Sequence, residues 1–224
     1  YRGEVTVTAD GENPVRIPVT LEVYNFSIPV TSSLPSFFGI SWYDIGRGHY
    51  GTTQNGTITQ ALGISYVKSG LRNRLSFGVH SSPSIPMFTF NPDGTVATAN
   101  YSNFDAVATP FMDGIGTPNG AKFTSILLPR DPYGAGSDPI KKLNALKNYI
   151  QHMKEKGWYD RLSDYSWDEP NVAEYTKVKE RTELIKAADP TVPRQVTLRF
   201  TPELEGYVTR WIPAVNDILA HTTQ

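Results

Sequence analysis

Two rhythms of apolar and polar positions divide the chain. Residues 4–9 and 15–26 alternate with period two, and Asp10-Gly11-Glu12-Asn13-Pro14 between them is rich in turn formers. This predicts a β-hairpin built from Val, Thr and Ile. Two strands bury no core by themselves. Residues 1–26 therefore read as the last strands of a β-sandwich, and residues 27–35, with Pro29 and Pro35, as a linker. The first residue is Tyr1 and not Met, so the chain reads as a piece of a longer protein.

From residue 36 onward short apolar runs alternate with helical spacing. Strands are predicted at 36–41, 75–79, 123–128, 162–167, 195–198 and 208–212. Helices are predicted over 58–71, 104–112, 139–156 and 172–188, with a last one beginning near Ala214. The helix over 139–156 has the clearest pattern. Ile140, Leu143, Leu146, Tyr149, Ile150 and Met153 share one face, and Gly157 closes it. Gly63 and Gly70 weaken the first helix, and Gly46-Arg47-Gly48 reads as a flexible loop. Residues 81–100, with the turn Asn91-Pro92-Asp93-Gly94, read as a long loop or a hairpin.

Repeated strand–helix units imply a parallel sheet. Six such units without a glycine-rich nucleotide fingerprint predict an α/β fold of the (β/α)₈ TIM-barrel type, cut short after about six units. Residues 36–224 would be this incomplete catalytic barrel.

Composition narrows the function classes. There are 21 basic and 22 acidic residues, which gives no electrostatic case for nucleic acid or an anionic membrane. No window has the apolar length of a membrane helix, so no membrane insertion is expected. The absence of cysteine removes disulfides and thiolate chemistry. His49, His80, His152 and His221 are scattered without metal-ligand spacing. Gly46-Arg47-Gly48 does not make a phosphate cradle, and no nucleophile-elbow serine is present. No cofactor or metal is expected.

The chemistry concentrates at Tyr165-Ser166-Trp167-Asp168-Glu169-Pro170, where a predicted strand ends in two adjacent acids before a helix. In βα enzymes this C-terminal edge holds the reacting groups. Glycoside hydrolysis needs a proton donor and relief for an oxocarbenium-like centre, and two carboxylates supply both. The ordinary alternative is a helix start, in which the acids cap the first turn and Pro170 occupies it. Tyr165 and Trp167 share a face by alternation and are candidates to line a sugar pocket, with Asp168 starting on the opposite face. Trp211 near the end of the sixth strand, Trp42 after the first, and Arg74 are further candidates for binding substrate.

Several stretches together resemble the catalytic domain of glycoside hydrolase family 123. They are Val19 to Phe26 before Leu34-Pro35, Lys154-Glu155-Lys156-Gly157-Trp158, Trp167-Asp168-Glu169-Pro170, and Thr209-Arg210-Trp211-Ile212-Pro213. Their order fits nearly the whole chain. The resemblance implies a β-sandwich before a (β/α)₈ barrel and an N-acetyl-β-galactosaminidase that uses the substrate's acetamido group as nucleophile. By position, Asp168 would orient that group and Glu169 would be the general acid/base, its proton kept by partial burial and by the neighbouring Asp168. One departure is Asn73-Arg74, where the family often shows His-Arg. The expected partner is a glycan or glycoconjugate, and the expected location is secreted, periplasmic or at the cell surface. Two rival readings are a conventional glycosidase acting on another sugar and a carbohydrate-binding or scaffold module without activity.

Overall fold

The computed structural model describes residues 1–51, 56–79 and 86–217. His80, His221 and residues 81–85 fall outside the described residues, as does all but the first turn of the helix expected near Ala214.

Strands β1 (Arg2–Val7) and β2 (Val15–Thr20) form the predicted antiparallel hairpin. The register places Val5 opposite Ile17, Val7 opposite Val15 and Gly3 opposite Val19, so one face is wholly apolar. Residues 1–30 are exposed throughout. The second strand stops at Thr20, six residues before the alternation does. Pairing ends where Leu21 donates to the Tyr1 carbonyl, and period two cannot hold a strand without a partner.

Next come β3 (Phe38–Ile40), α1 (Trp42–Tyr50), α2 (Gly56–Arg72) and β4 (Phe77–Val79), with β3 and β4 parallel. The expected loop at Gly46-Arg47-Gly48 is instead helical. Ser41 caps α1 by accepting from the Asp44 N–H, and Gly51 ends it in the left-handed region. The two glycines that weakened α2 as a sequence have a packing reason. A Cβ on Gly63 would lie 2.6 Å from the Trp42 ring, and one on Gly70 would lie 1.7 Å from Phe77. Each glycine lets an aromatic ring reach the helix backbone.

The region read as a loop or hairpin is the hairpin β5 (Met87–Phe90) and β6 (Val96–Asn100), followed by α3 (Ser102–Asp113). Then follow β7 (Ile126–Leu127), α4 (Pro139–Glu155), β8 (Leu162–Trp167), α5 (Tyr175–Ala188), β9 (Arg194–Val196) and β10 (Arg210–Trp211). Helix α4 matches its prediction because its ends are chemically marked. Asp138 accepts from the Ile140 and Lys141 N–H groups, Pro139 fills the first turn, and Gly157 at φ 69° turns the chain out. Ile140 departs from the expected buried face. It lies in the first turn and is exposed.

Strands β10, β9, β8 and β7 form a four-stranded parallel sheet in that order. It is a mixed α/β fold, and the described strands do not close into the expected barrel. The β3–β4 pair joins it at the N-terminal edge through side chains. Ser36, Ser76 and Thr124, which precede β3, β4 and β7, bond to one another at 2.8–3.0 Å. The main core lies between the sheet and α2, α3, α4 and α5, around Met112, Leu146, Met153, Trp158 and Ile185. Trp158 is fully buried, and its indole N–H finds a partner in Asp113 Oδ1 at 2.8 Å. A smaller cluster of Val178, Val196, Leu204 and Val208 packs β9 against α5.

Candidate active site

Strand β8 lies between β7 and β9 and carries the acids at its C-terminal end. It is held from the helix side by a buried ion pair. Asp164 is wholly buried and meets Arg181 of α5 at 2.5 Å. Ser166 donates to the other Asp164 oxygen at 2.6 Å. Arg181 also donates to the Pro129 and Arg130 carbonyls, which ties the loop after β7 to the same strand. A buried charge is tolerable only when paired and hydrogen-bonded, and both conditions hold here.

The aim of the acids depends on a β-bulge. Tyr165 pairs with Gln195 while Trp167 pairs with Val196, so β8 carries one extra residue at Ser166. Bulges of this kind re-aim side chains beside functional sites. Trp167 packs on the cluster beneath α5, whereas Tyr165 packs toward Phe37, ring centroids 6.4 Å apart. The two aromatics therefore face apart and do not share a face as strict alternation predicted. Asp168 correspondingly joins the Tyr165 side.

There Asp168 Oδ1 accepts from the Tyr165 hydroxyl at 2.5 Å and from the Thr197 hydroxyl at 2.8 Å. Burial, and secondly the bond to Asp168, pushes the Tyr165 phenol up to about 12, so it remains a donor at neutral pH. Thr197 also accepts from the Glu169 backbone N–H at 2.7 Å. One threonine thus fixes both acidic residues. Glu169 is exposed, and its φ of 44° lies in the left-handed region. A non-glycine residue held there costs about 1–3 kcal/mol, a kind of strain that clusters at functional sites. The partial burial expected around its side chain is absent.

Neither acid caps the helix that follows. Asn171 does so, in a capping box. Its side chain accepts from the Ala173 N–H while Glu174 reaches back to the Asn171 N–H. Pro170 stands before this cap and outside the helix. The local chemistry that would explain Asp168 and Glu169 as a helix start is supplied by other residues.

The remaining candidates are dispersed. Trp42 is only 3% exposed, with its ring against Gly63, so it presents no face to a sugar. Arg74 precedes β4, at the opposite edge of the strands, and its Nε is buried without a hydrogen-bond partner among the described residues. Trp211 is half-buried, on the same small cluster as Trp167, with Phe200 edge-on at 5.3 Å. An open cleft of about 820 Å³ lies between β3 and the α1–α2 pair, but neither Asp168 nor Glu169 lines it. His49 in that cleft is bonded to the Tyr66 hydroxyl at 2.7 Å.

Sequence reasoning missed Thr197 and Arg130. Both sit where strands β9 and β7 run out, and Thr197 alternates with buried Val196, so the sheet edge itself marked them. The guanidinium of Arg130 lies 4.5 Å from the Trp167 ring centroid.

No family model matches the chain, and no curated protein matches it in sequence. Among solved structures it is similar to a family 123 glycoside hydrolase from Clostridium perfringens, described for glycolipid glycan hydrolysis. The TM-score is 0.52 at 19% identity, over 96% of this chain and 45% of that one. The chain thus spans less than half the length of that enzyme and shares its fold over the stretch matched.

Proposed function

We propose that this chain carries the acid pair of a glycosidase acting on terminal 2-acetamido sugars, with N-acetyl-β-galactosamine the first substrate to try. One observation carries the reading. Two exposed carboxylates stand at the C-terminal edge of a parallel strand, fixed by Thr197, while a separate capping box starts the helix. Fold likeness to a family 123 glycoside hydrolase supports the glycosidase class. In this reading β3, β4, β7, β8, β9 and β10 are successive strands of a (β/α)₈ barrel.

The chemistry follows from the roles. Glu169 gives a proton to the glycosidic oxygen as the bond to the anomeric carbon breaks. The acetamido carbonyl oxygen attacks that carbon from the other face and forms an oxazolinium ring. Asp168, held by Tyr165 and Thr197, accepts the acetamido N–H and keeps the carbonyl aimed. Water then opens the ring, with Glu169 taking its proton. Adjacent acids suit this scheme, since neither has to reach the far face of the sugar. Substrate-assisted families are the recognised departures from the two-carboxylate arrangement.

The test is turnover by the full-length protein of 4-nitrophenyl N-acetyl-β-galactosaminide, the N-acetyl-β-glucosaminide and the β-galactoside that lacks an acetamido group. Cleavage restricted to acetamido substrates, lost in Asp168→Asn and Glu169→Gln, is the expected result. Cleavage of the plain galactoside would assign the nucleophile to a residue elsewhere. Unchanged turnover in both variants would remove the acid pair from the reaction.

A further inference from the structure

One aromatic of β8 touches the acid pair directly and has no step of its own in the proposed reaction. The Tyr165 hydroxyl donates to Asp168 Oδ1 at 2.5 Å. The Thr197 hydroxyl donates to the same oxygen at 2.8 Å, and the two hydroxyls stand 3.2 Å apart. Each hydroxyl has one proton to donate. With both aimed at Asp168, the edge between Tyr165 and Thr197 has none, and it is the longest of the three.

A regular strand would not bring these groups together. Residues three apart on a strand point to opposite faces. The extra residue at Ser166 sets Tyr165 and Asp168 on one side. Ser166 is itself buried and donates to Asp164 at 2.6 Å, and Asp164 is paired with Arg181. The bulge is thus fastened from the helix side. The Tyr165 ring is half-buried and packs toward Phe37, so its hydroxyl is presented from a ring with little freedom to swing away. Asp168, by contrast, is exposed at the strand end. Two donors on one of its oxygens restrict rotation of the carboxyl group. Misplacing a group that orients the substrate by about 1 Å can cost about 10²-fold in rate.

We propose that Tyr165 is a positioning residue for the reaction, its hydroxyl holding the Asp168 carboxyl group in the orientation that meets the substrate's acetamido N–H. This rests on the glycosidase reading above. Tyr165 was a candidate to line the sugar pocket; its role runs instead through Asp168, and the bulge at Ser166 is what makes that role possible.

The experiment measures kcat and KM of the full-length wild type and Tyr165→Phe on the two 4-nitrophenyl acetamido sugars named above, with thermal unfolding of each protein. The substitution keeps the ring and removes one oxygen. It should lower kcat about 10–100-fold and leave KM within about twofold, because the contact serves the reacting geometry. In an Asp168→Asn background the same substitution should cost nothing further, since its target is gone. A rise in KM alone, or one as large as the fall in kcat, makes Tyr165 a direct sugar contact and overturns the positioning role. Unchanged kcat, with or without a loss of stability, overturns it as well, and so does a further fall in the Asp168→Asn background. In each of these cases the wild type still cleaves its substrate and the glycosidase reading stands. If the wild type cleaves neither acetamido sugar, both readings fall together.

Discussion

The two edges of the parallel strands use polar residues in opposite ways. At the N-terminal edge they are consumed by one another. Asp189, between α5 and β9, accepts from Lys154, Tyr159 and both donors of Thr191 at 2.7–3.0 Å. Arg194 is buried and gives its guanidinium to the Tyr207, Pro190 and Val192 carbonyls. Ser36, Ser76 and Thr124 close the same edge where the two sheets meet. At the C-terminal edge Asp168 and Glu169 are exposed, one held by two hydroxyls and the other by a strained backbone. In α/β folds ligands bind outside the carboxyl ends of the strands. The difference teaches that cohesion and the proposed chemistry lie at opposite ends of the same strands, and it predicts that each can be removed without the other.

Glu169→Gln makes the largest break. It should lower kcat by about 10²–10⁴-fold, the usual worth of a positioned acid/base, with no loss in melting temperature. Glu169→Gly sharpens the point, since glycine adopts positive φ freely. It should abolish turnover while raising stability by about 1 kcal/mol in urea unfolding. A fall in stability would mean that the Glu169 side chain is structural.

Asp189→Asn should do the reverse and cost about 3 kcal/mol, with turnover per folded molecule retained. Burial alone would raise this carboxyl. The bonds from Lys154, Thr191 and Tyr159 outweigh it and hold the group well below the usual carboxylate range. Its contribution is therefore full above the unfolded value near pH 4 and is lost as pH falls toward the depressed folded value. Unfolding midpoints measured across the acid range should flatten in the variant, and an unchanged acid limb would remove Asp189 from the linkage.

Gly70→Ala tests an apolar contact beside the N-terminal edge, where Phe77 follows Ser76. Its Cβ would collide with Phe77, so a loss of about 2 kcal/mol is expected by thermal or urea unfolding. Thr197→Val has the smallest predicted effect and lies on the boundary of the comparison. It removes one bond to Asp168 and the acceptor for the Glu169 N–H. A roughly tenfold fall in kcat with KM little changed would mark Thr197 as a positioning residue, whereas a loss of stability alone would return it to the framework.

What the sequence discloses follows the range of the interaction concerned. Strand β8 and helix α4 are legible because their signals are local: an apolar run before two acids, and an Asp-Pro start with a glycine stop. Helix α1 is not, since Gly46 and Gly48 imitate a loop and Trp42 finds its packing site only at Gly63 of the next helix. The acid pair could be picked out by its place at a strand end. Its holder, Thr197, comes from another strand, and no spacing within β8 names it. The capping box was present in the sequence as Asn171 and Glu174, one residue beyond the Pro170 on which the helix-start alternative had rested. Trp42 follows a strand and Arg74 stands at the position of the resembled family's His-Arg pair, yet one packs into the helix layer and the other lies at the far edge.

The bulge at Ser166 makes the direction of the catalytic candidates a matter of counting. Which side of the sheet Asp168 serves is set by the number of residues between Tyr165 and the strand end, more than by what those residues are. Substitutions along this segment can drift and leave the parity intact. Loss of the bulge at unchanged length would reverse it, turning Trp167 inward and Asp168 toward the helices. The aim of the acids is thus a property of the backbone's register, which side-chain changes elsewhere in the strand leave untouched.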